Sequence, residues 1–334
     1  MNDLSYSVES APYKVKGNLK RHYSYWKEVL RADDFILQLI EKGYKIPFRY
    51  LPAPRMMNNN NSALRERDFV EKSIIELLKY SRIYEVEKPY MISPLSVAQD
   101  SRGKKRLILD LTYVNKFVWK EKIKFDDWKI FEQFVEADSG GFLFKFDLKS
   151  GYHHVDIHKN FQKFLGFSWT FPDGTKRFFQ FAVLPFGLTS GPYIFTKIVR
   201  TMVRYWRSFS IKIGVFLDDG LSIEYDENQA KKKNSKFVQK SLHSAGFVEN
   251  IEKSEWKPKT SIEWLGVVLD FTNKTYKISD RRICSIVSSL ENIFSSPTRV
   301  SARQLARLAG KIISTKFVIR KYRSTQNEKI VQSY

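Results

Sequence analysis

A single cysteine, Cys284, in 334 residues leaves no disulfide framework within the chain and points to a reducing compartment, cytoplasm or nucleus. At its helical-looking position, this residue is expected to be core rather than a nucleophile. No apolar run reaches about 18 residues and no secretory pattern opens the chain, so neither a membrane span nor an export signal is expected. Acidic residues are scarce: 36 Asp+Glu stand against 57 Lys+Arg, a formal charge of +21. Such an excess speaks of partners rather than fold and favours a polyanion, nucleic acid before membrane. The plainer alternative is a soluble protein with an incidentally basic surface. Aromatics are plentiful, with 26 Phe and 17 Tyr. Rings among cations suit a single strand, whose bases stack on them, although core packing accounts for most. The length allows one large or two to three small domains, and no internal repeat is visible.

The first 18 or so residues lack periodicity and are expected to be poorly ordered. Leu19 to Gly43 reads as one helix, with Trp26, Val29, Leu30, Phe35, Ile36, Leu39 and Ile40 at helical spacing. Pro47, Pro52 and Pro54 break the chain, and Asn58 to Asn61 reads as a polar loop. Leu64 to Tyr80 is a second amphipathic helix. Arg106 to Asp110 and Gly141 to Leu148 then read as strands, and Thr189 to Phe209 as a long helix. Ile211 to Leu217 and Leu221 to Tyr225 are short strands around Asp218-Asp219-Gly220. Glu227 to Ala245 is helical and basic through Lys231-Lys232-Lys233. Trp264 to Leu269 and Thr275 to Ile278 are strands, followed by helices over Asp280 to Phe294 and Ser301 to Thr315. Helices mixed with short hairpin-linked strands imply an α+β protein.

Three carboxylates stand at strand ends. Asp147 closes one apolar run; Asp218 and Asp219 lie between two others. If these strands are neighbours, the carboxylates converge, a costly arrangement when empty because like charges repel where solvation is poor. Two divalent cations about 4 Å apart relieve that repulsion and clamp an in-line displacement at phosphorus. Oxygen ligands with retained waters suit Mg²⁺, with Mn²⁺ as a substitute. Taken alone, Asp219-Gly220 reads as a hairpin turn with glycine supplying positive φ, and Asp147 as a loop cap. His153 and His154 do not form a shared metal site, since adjacent residues on a strand face opposite sides.

At this point the chain resembles a reverse transcriptase. The resemblance rests on Phe146-Asp147-Leu-Lys-Ser-Gly-Tyr152, Leu184-Pro-Phe186-Gly187-Leu188-Thr-Ser-Gly-Pro192, Phe216-Leu-Asp218-Asp219, Ala245-Gly-Phe-Val-Glu-Asn-Ile-Glu-Lys253, Trp264-Leu265-Gly266 and Arg106-Leu-Ile-Leu-Asp110, in family order. Gly17-Asn-Leu-Lys-Arg-His-Tyr-Ser-Tyr-Trp26, Gly43-Tyr-Lys-Ile-Pro-Phe48, Ser93-Pro-Leu-Ser-Val97 and Val300 to Gly310 resemble the DIRS-type and gypsy-like retrotransposons.

The resemblance implies a polymerase right hand of fingers, palm and partial thumb, with a small antiparallel palm sheet flanked by helices. Residues 1–62 would be an N-terminal extension with one helix and a Pro/Asn-rich linker. Residues 63–140 would be fingers, 141–270 palm with some fingers insertion, and 271–334 thumb-like helices. It implies RNA-directed DNA synthesis on a primer 3′-hydroxyl. Asp147, Asp218, Asp219 and the Leu148 carbonyl would hold two metal ions, and Lys253 would protonate the departing pyrophosphate. Arg106, Tyr152, Phe186 and Gly187 would bind the deoxynucleoside triphosphate, Tyr152 excluding a 2′-hydroxyl and Gly187 allowing close backbone approach. Phe216, Leu217, Trp264, Leu265 and Gly266 would meet primer and template. The partners implied are an RNA or DNA template-primer and nucleotides, with no membrane.

The plainer readings are a core tyrosine, a surface lysine and arginine, a turn before the long helix, and ordinary β-packing for Trp264.

Two departures stand out. Phe216 replaces the tyrosine most common in the family. Val97-Ala-Gln-Asp100 occupies the stretch where relatives carry a triphosphate lysine, for which Lys104 or Lys105 could substitute. No acidic constellation for ribonuclease H is found, so no such domain is expected, as in a fragment or a decayed copy. The intact carboxylates favour an enzyme; a non-catalytic nucleic-acid-binding relic is the alternative, and a two-metal nuclease is more remote.

Overall fold

The run Phe142-Leu-Phe-Lys-Phe-Asp147 forms an interior strand whose Leu143, Phe144 and Phe146 are all buried, so it reads as nearly continuous apolar sequence instead of alternating. The computed structural model describes residues 15–100, 103–135, 140–295, 300–316 and 318. They fall into two compact units that the chain enters repeatedly. The first comprises Met1–Phe125, Leu148–Tyr205 and Lys240–Asn250; the second comprises Asp126–Asp147, Trp206–Gln239 and Ile251–Tyr334.

The second unit is built on a four-stranded antiparallel sheet in the order Glu255–Lys259, Phe142–Asp147, Asp219–Glu224, Lys212–Phe216. Pro258, which has no N–H for a ladder, lies in an edge strand, as expected. On one face Leu143, Leu221 and Ile223 join Trp128, Phe131, Ile262, Trp264, Val267 and Leu269 in a core. On the other, Phe146 packs against Trp206 at 5.8 Å and stacks on Trp256 at 5.8 Å between centroids. A three-stranded sheet of Ser261–Trp264, Val267–Asp270 and Thr275–Ile278 follows, then helices Asp280–Phe294 and Ala302–Ile313.

The first unit carries helices Asp34–Lys42 and Arg67–Lys79, and the long helix Gly191–Ser208 begins in it. It also contains the antiparallel hairpin Leu95–Gln99 with Lys105–Leu109 and a sheet ordered Ile83–Glu85, Lys176–Phe181, Gly166–Thr170. Helices with small antiparallel sheets make the fold α+β, as the sequence implies.

Several local expectations need correction. The single helix over Leu19 to Gly43 is three segments, Asn18–Arg21, a π-type turn Tyr25–Val29 and Asp34–Lys42. Arg31 at φ +48° breaks the run, and Asp33 caps the last helix by accepting from Ile36 N at 3.0 Å. Residues 1–14 lie outside the described residues, but Val15, within the stretch expected to be poorly ordered, is buried.

The asparagine tract is loop over Asn58 to Asn60, as expected, but a pinned one. Asn59 donates to Ser168 O and accepts from Leu95 N, both at 2.9 Å. Asn60 donates to Ser96 Oγ and Asp110 Oδ2 at 2.6 and 3.0 Å, and Asn61 starts a short helix. Trp264 to Leu269 is two strands joined by Leu265-Gly266, both at positive φ. Cys284 is exposed on its helix rather than core. Among the described residues no helix is long and apolar enough to cross a membrane.

Candidate nucleotidyl-transfer site

Antiparallel register sets the acidic cluster. Asp219 pairs directly with Asp147, so the two carboxylates share one face of the sheet and start from Cβ atoms about 5 Å apart. That face is the one carrying Leu143, Leu221 and Ile223, so the acids continue the outer end of the Trp264 core. The hairpin closes between Phe216 and Asp219, with Leu217 and Asp218 as its two loop residues. Leu217 takes φ +57°, a left-handed conformation that costs a branched side chain of order 1 kcal/mol.

Asp219-Gly220 is therefore not the turn, which lies two residues earlier. Gly220 sits within the strand opposite Phe146, where a Cβ would overlap the phenylalanine ring. Close ring packing, not positive φ, is what calls for glycine.

Electrostatics follow from this geometry. Burial first, then the carboxylates of Asp147 and Asp218, push the Asp219 carboxyl up to about 7, against the opposing pull of Lys145 and Lys253. Lys253 spans the Asp147 carboxylate, its Nζ 3.1 and 3.0 Å from Oδ1 and Oδ2. The Asp147 backbone N–H donates to Ser254 Oγ at 3.1 Å. Lys145 donates to Glu263 O at 3.0 Å and pairs with Glu255 at 3.4 Å. The Trp264 indole N–H points at Asp219 O at 3.4 Å.

Lys145 and Ser254 are absent from the sequence-based site. Lys145 was legible, since it lies two residues before Asp147 and hence on the same face. Ser254 had no signal: only the tertiary return of the chain brings it to Asp147.

Among the described residues, no group of three or more His, Cys, Asp or Glu side chains is arranged to hold a metal ion. The donor chemistry nevertheless fits hard cations. The side chains are oxygen donors, burial and then the neighbouring carboxylates raise the Asp219 carboxyl, and the Lys253 amine already bridges Asp147 as a cation would.

The other predicted site residues divide between the units. In the second, Phe216 packs on the core, Trp264 is buried within it, and Leu265-Gly266 forms the turn beyond, where Arg282 donates to Leu265 O at 3.0 Å. The Trp264 side chain is thus β-packing.

In the first unit, Leu148 is buried and bridges Glu249. Tyr152 stacks on Phe186 at 5.1 Å and 27°, with Phe195 at 5.4 Å, and Phe186 is 43% exposed. Gly187, at φ +113°, gives close backbone approach to Leu109 O, which a Cβ would strike. Asn115 holds this turn by donating to Gly187 O at 2.8 Å and accepting from Thr189 N at 2.9 Å. Arg106 is exposed on the Lys105–Leu109 strand, and Lys105 is engaged with Glu66 at 2.5 Å.

His153 and His154 lie in a 3₁₀ turn, not a strand. His154 Nδ1 contacts Gly151 O at 3.1 Å while Nε2 accepts from Val248 N at 3.0 Å, so both ring nitrogens are committed. Strand alternation therefore does not apply to this pair.

The family described as "Reverse transcriptase (RNA-dependent DNA polymerase)" matches residues 91–269. The chain is 29% identical over 231 residues to the putative enzymatic polyprotein of Cassava vein mosaic virus, covering 68% of this chain and 32% of that protein. It is 23% identical over 286 residues to the Tf2-3 transposon polyprotein of Schizosaccharomyces pombe, covering 85% and 19% respectively. It therefore spans a third or less of the length of these relatives. Among solved structures, the foamy viral protease-reverse transcriptase in complex with an RNA/DNA hybrid aligns with TM-score 0.62 at 18% identity, over 89% of this chain and 40% of that one. The same enzyme's dRH form with double-stranded DNA aligns with TM-score 0.62 over 89% and 52%.

Proposed function

Given that the chain belongs to the reverse transcriptase family, whose match covers more than half of it, we propose that it is an RNA-directed DNA polymerase that extends a primer 3′-hydroxyl with deoxynucleotides. The observation that carries this reading is the Asp147–Asp219 cross-strand pair beside Asp218, at the end of an antiparallel sheet.

Reverse transcriptases use divalent metal ions. Asp147, Asp218 and Asp219, with the Leu148 carbonyl, would hold two Mg²⁺. Bound there, the ions would supply Lewis-acid stabilisation of the attacking and leaving oxygens. Lys253, already hydrogen-bonded to Asp147, would hold a proton for the departing pyrophosphate. The Tyr152 ring, stacked on Phe186, would lie under the sugar of the incoming nucleotide and exclude a 2′-hydroxyl. Arg106 is a guanidinium on an exposed strand position, suited to triphosphate oxygens. Phe216, Leu217, Leu265 and Gly266 would meet primer and template through backbone at two turns, with Trp264 supporting them from the core.

Primer extension on an RNA template with Mg²⁺ tests the reading. Asp218→Asn is expected to lower the rate by at least about 10²-fold, since a carboxylate holding charge in the transition state is removed. Equal activity of the two proteins would reject the assignment.

A further inference from the structure

The Ala245-Gly246 corner turns the chain out of the Ser235–Ser244 helix towards the stretch that reaches Lys253. Gly246 takes φ +87°, and a Cβ there would lie 2.6 Å from Asn18 O and 2.9 Å from His22 Nδ1. The corner is thus pressed against the start of the chain. Two side chains from that start grip it. Trp26, wholly buried, donates its indole N–H to Ala245 O at 2.8 Å. Asn18 donates its amide to Gly246 O at 2.6 Å. The Trp26 ring also meets Phe247 edge-on at 6.0 Å, and Phe247 lies 5.2 Å from His154.

Beyond the corner, the chain holds the residues that follow Asp147. Val248 O accepts from Lys149 N at 2.9 Å, and Leu148 and Glu249 form an antiparallel bridge. Val248 N donates to His154 Nε2 at 3.0 Å, fixing the corner from its other side. The path from Asn18 and Trp26 to Leu148 lies within the first unit and passes to Asp147 by one peptide bond.

We propose that Asn18 and Trp26 are positioning residues for nucleotidyl transfer. They fix the Ala245-Gly246 corner, through it the backbone at Leu148 and Lys149, and so the seat of the Asp147 carboxylate. The inference rests on the polymerase reading above and adds a role for the N-terminal segment. Both hydrogen bonds tie positions more than 200 residues apart. Each gives a buried or turned backbone carbonyl a partner that a burial role alone would not specify.

The test uses the full chain and two near-isosteric variants. Trp26→Phe keeps a ring against Phe247 and loses the donor. Asn18→Asp loses the donor and keeps the oxygen that accepts from Arg21. Single-nucleotide incorporation is measured with template-primer affinity, nucleotide KM and thermal melting. The maximal rate is expected to fall roughly tenfold in each variant, below the hundredfold that a misplacement of about 1 Å can cost. KM and template-primer affinity are expected to stay unchanged. The double variant is expected to lose less than the product of the two, because both act through one corner. Wild-type maximal rates, or a loss equal to the loss of folded protein, would overturn the proposal.

A wild-type chain that incorporates no nucleotide would defeat the polymerase reading instead. Hydrogen exchange at the Lys149 amide then decides the brace. Faster exchange in both variants supports it, and unchanged protection refutes it.

Discussion

Asp147 and Asp219 face each other across a strand pair, and Lys253 sits on Asp147 at 3.0 Å. On the proposed reading Lys253 would have two roles that one substitution separates. As counter-ion, it would compete with any cation that Asp147 binds. As acid, it would assist the leaving group. Lys253→Gln is therefore expected to lower the single-turnover maximal rate by roughly 10²-fold while reducing the Mg²⁺ concentration needed for half that rate. A metal titration of incorporation reads both, and an unchanged metal requirement would remove the counter-ion role. Beside this pair, Gly220 is specified by packing. Gly220→Ala puts a methyl group into the Phe146 ring, so a loss of about 1–3 kcal/mol in urea unfolding is expected, as for other overpacked cores. Phe146→Leu in the same chain should recover part of it. A loss no larger than that of an ordinary surface substitution would show that the ring moves aside freely.

The Gly151–His154 turn sets a pH limit on the first unit. Burial above all, with the nearby Arg82 charge, holds His153 down to about 3 and His154 to about 4, against an ordinary 6.5. The unfolded chain therefore takes up protons below about pH 6.5 that the folded chain refuses until near pH 4. The stability due to neutral burial is complete above the unfolded value and lost as pH falls through this window, by up to about 1.4 kcal/mol per pH unit for each histidine. Urea unfolding between about pH 7 and about pH 5 should show that slope, and His153→Leu should remove about half of it. A slope unchanged by the substitution would mean that other groups carry the acid sensitivity. The Asp280–Phe294 helix matches its expected bounds because its periodicity is local. The acidic site was legible because each aspartate ends or joins an apolar run. The hairpin Gly166–Thr170 with Lys176–Phe181 also has a local signal, Phe171-Pro-Asp-Gly-Thr175: Asp173 accepts from Thr175 N at 2.9 Å and Gly174 takes φ +81°. The pinning of Asn59 and Asn60, the return of Ser254 to Asp147 and the grip of Trp26 on Ala245 were illegible, because each joins distant parts of the chain.

Across the whole molecule, two opposite charge patterns coexist. The chain carries +21, yet three acids collect at one sheet end. On the proposed reading the first would draw phosphates and the second cations, the division that polymerisation on a nucleic-acid strand requires. The basic excess makes a separate prediction that does not depend on catalysis. If template-primer binding neutralises about six phosphates, the logarithm of affinity should fall against the logarithm of salt concentration with a slope near −5, about a thousandfold between 50 and 200 mM. Fluorescence anisotropy with a labelled RNA/DNA hybrid measures it. Asp218→Asn should keep the same slope, because that carboxylate is assigned to cations rather than to the phosphate backbone. A slope shallower than about −2 would mean that the excess charge is spread over the surface without forming a track for nucleic acid. A changed slope in Asp218→Asn would mean that the acidic end and the binding surface are electrostatically one site.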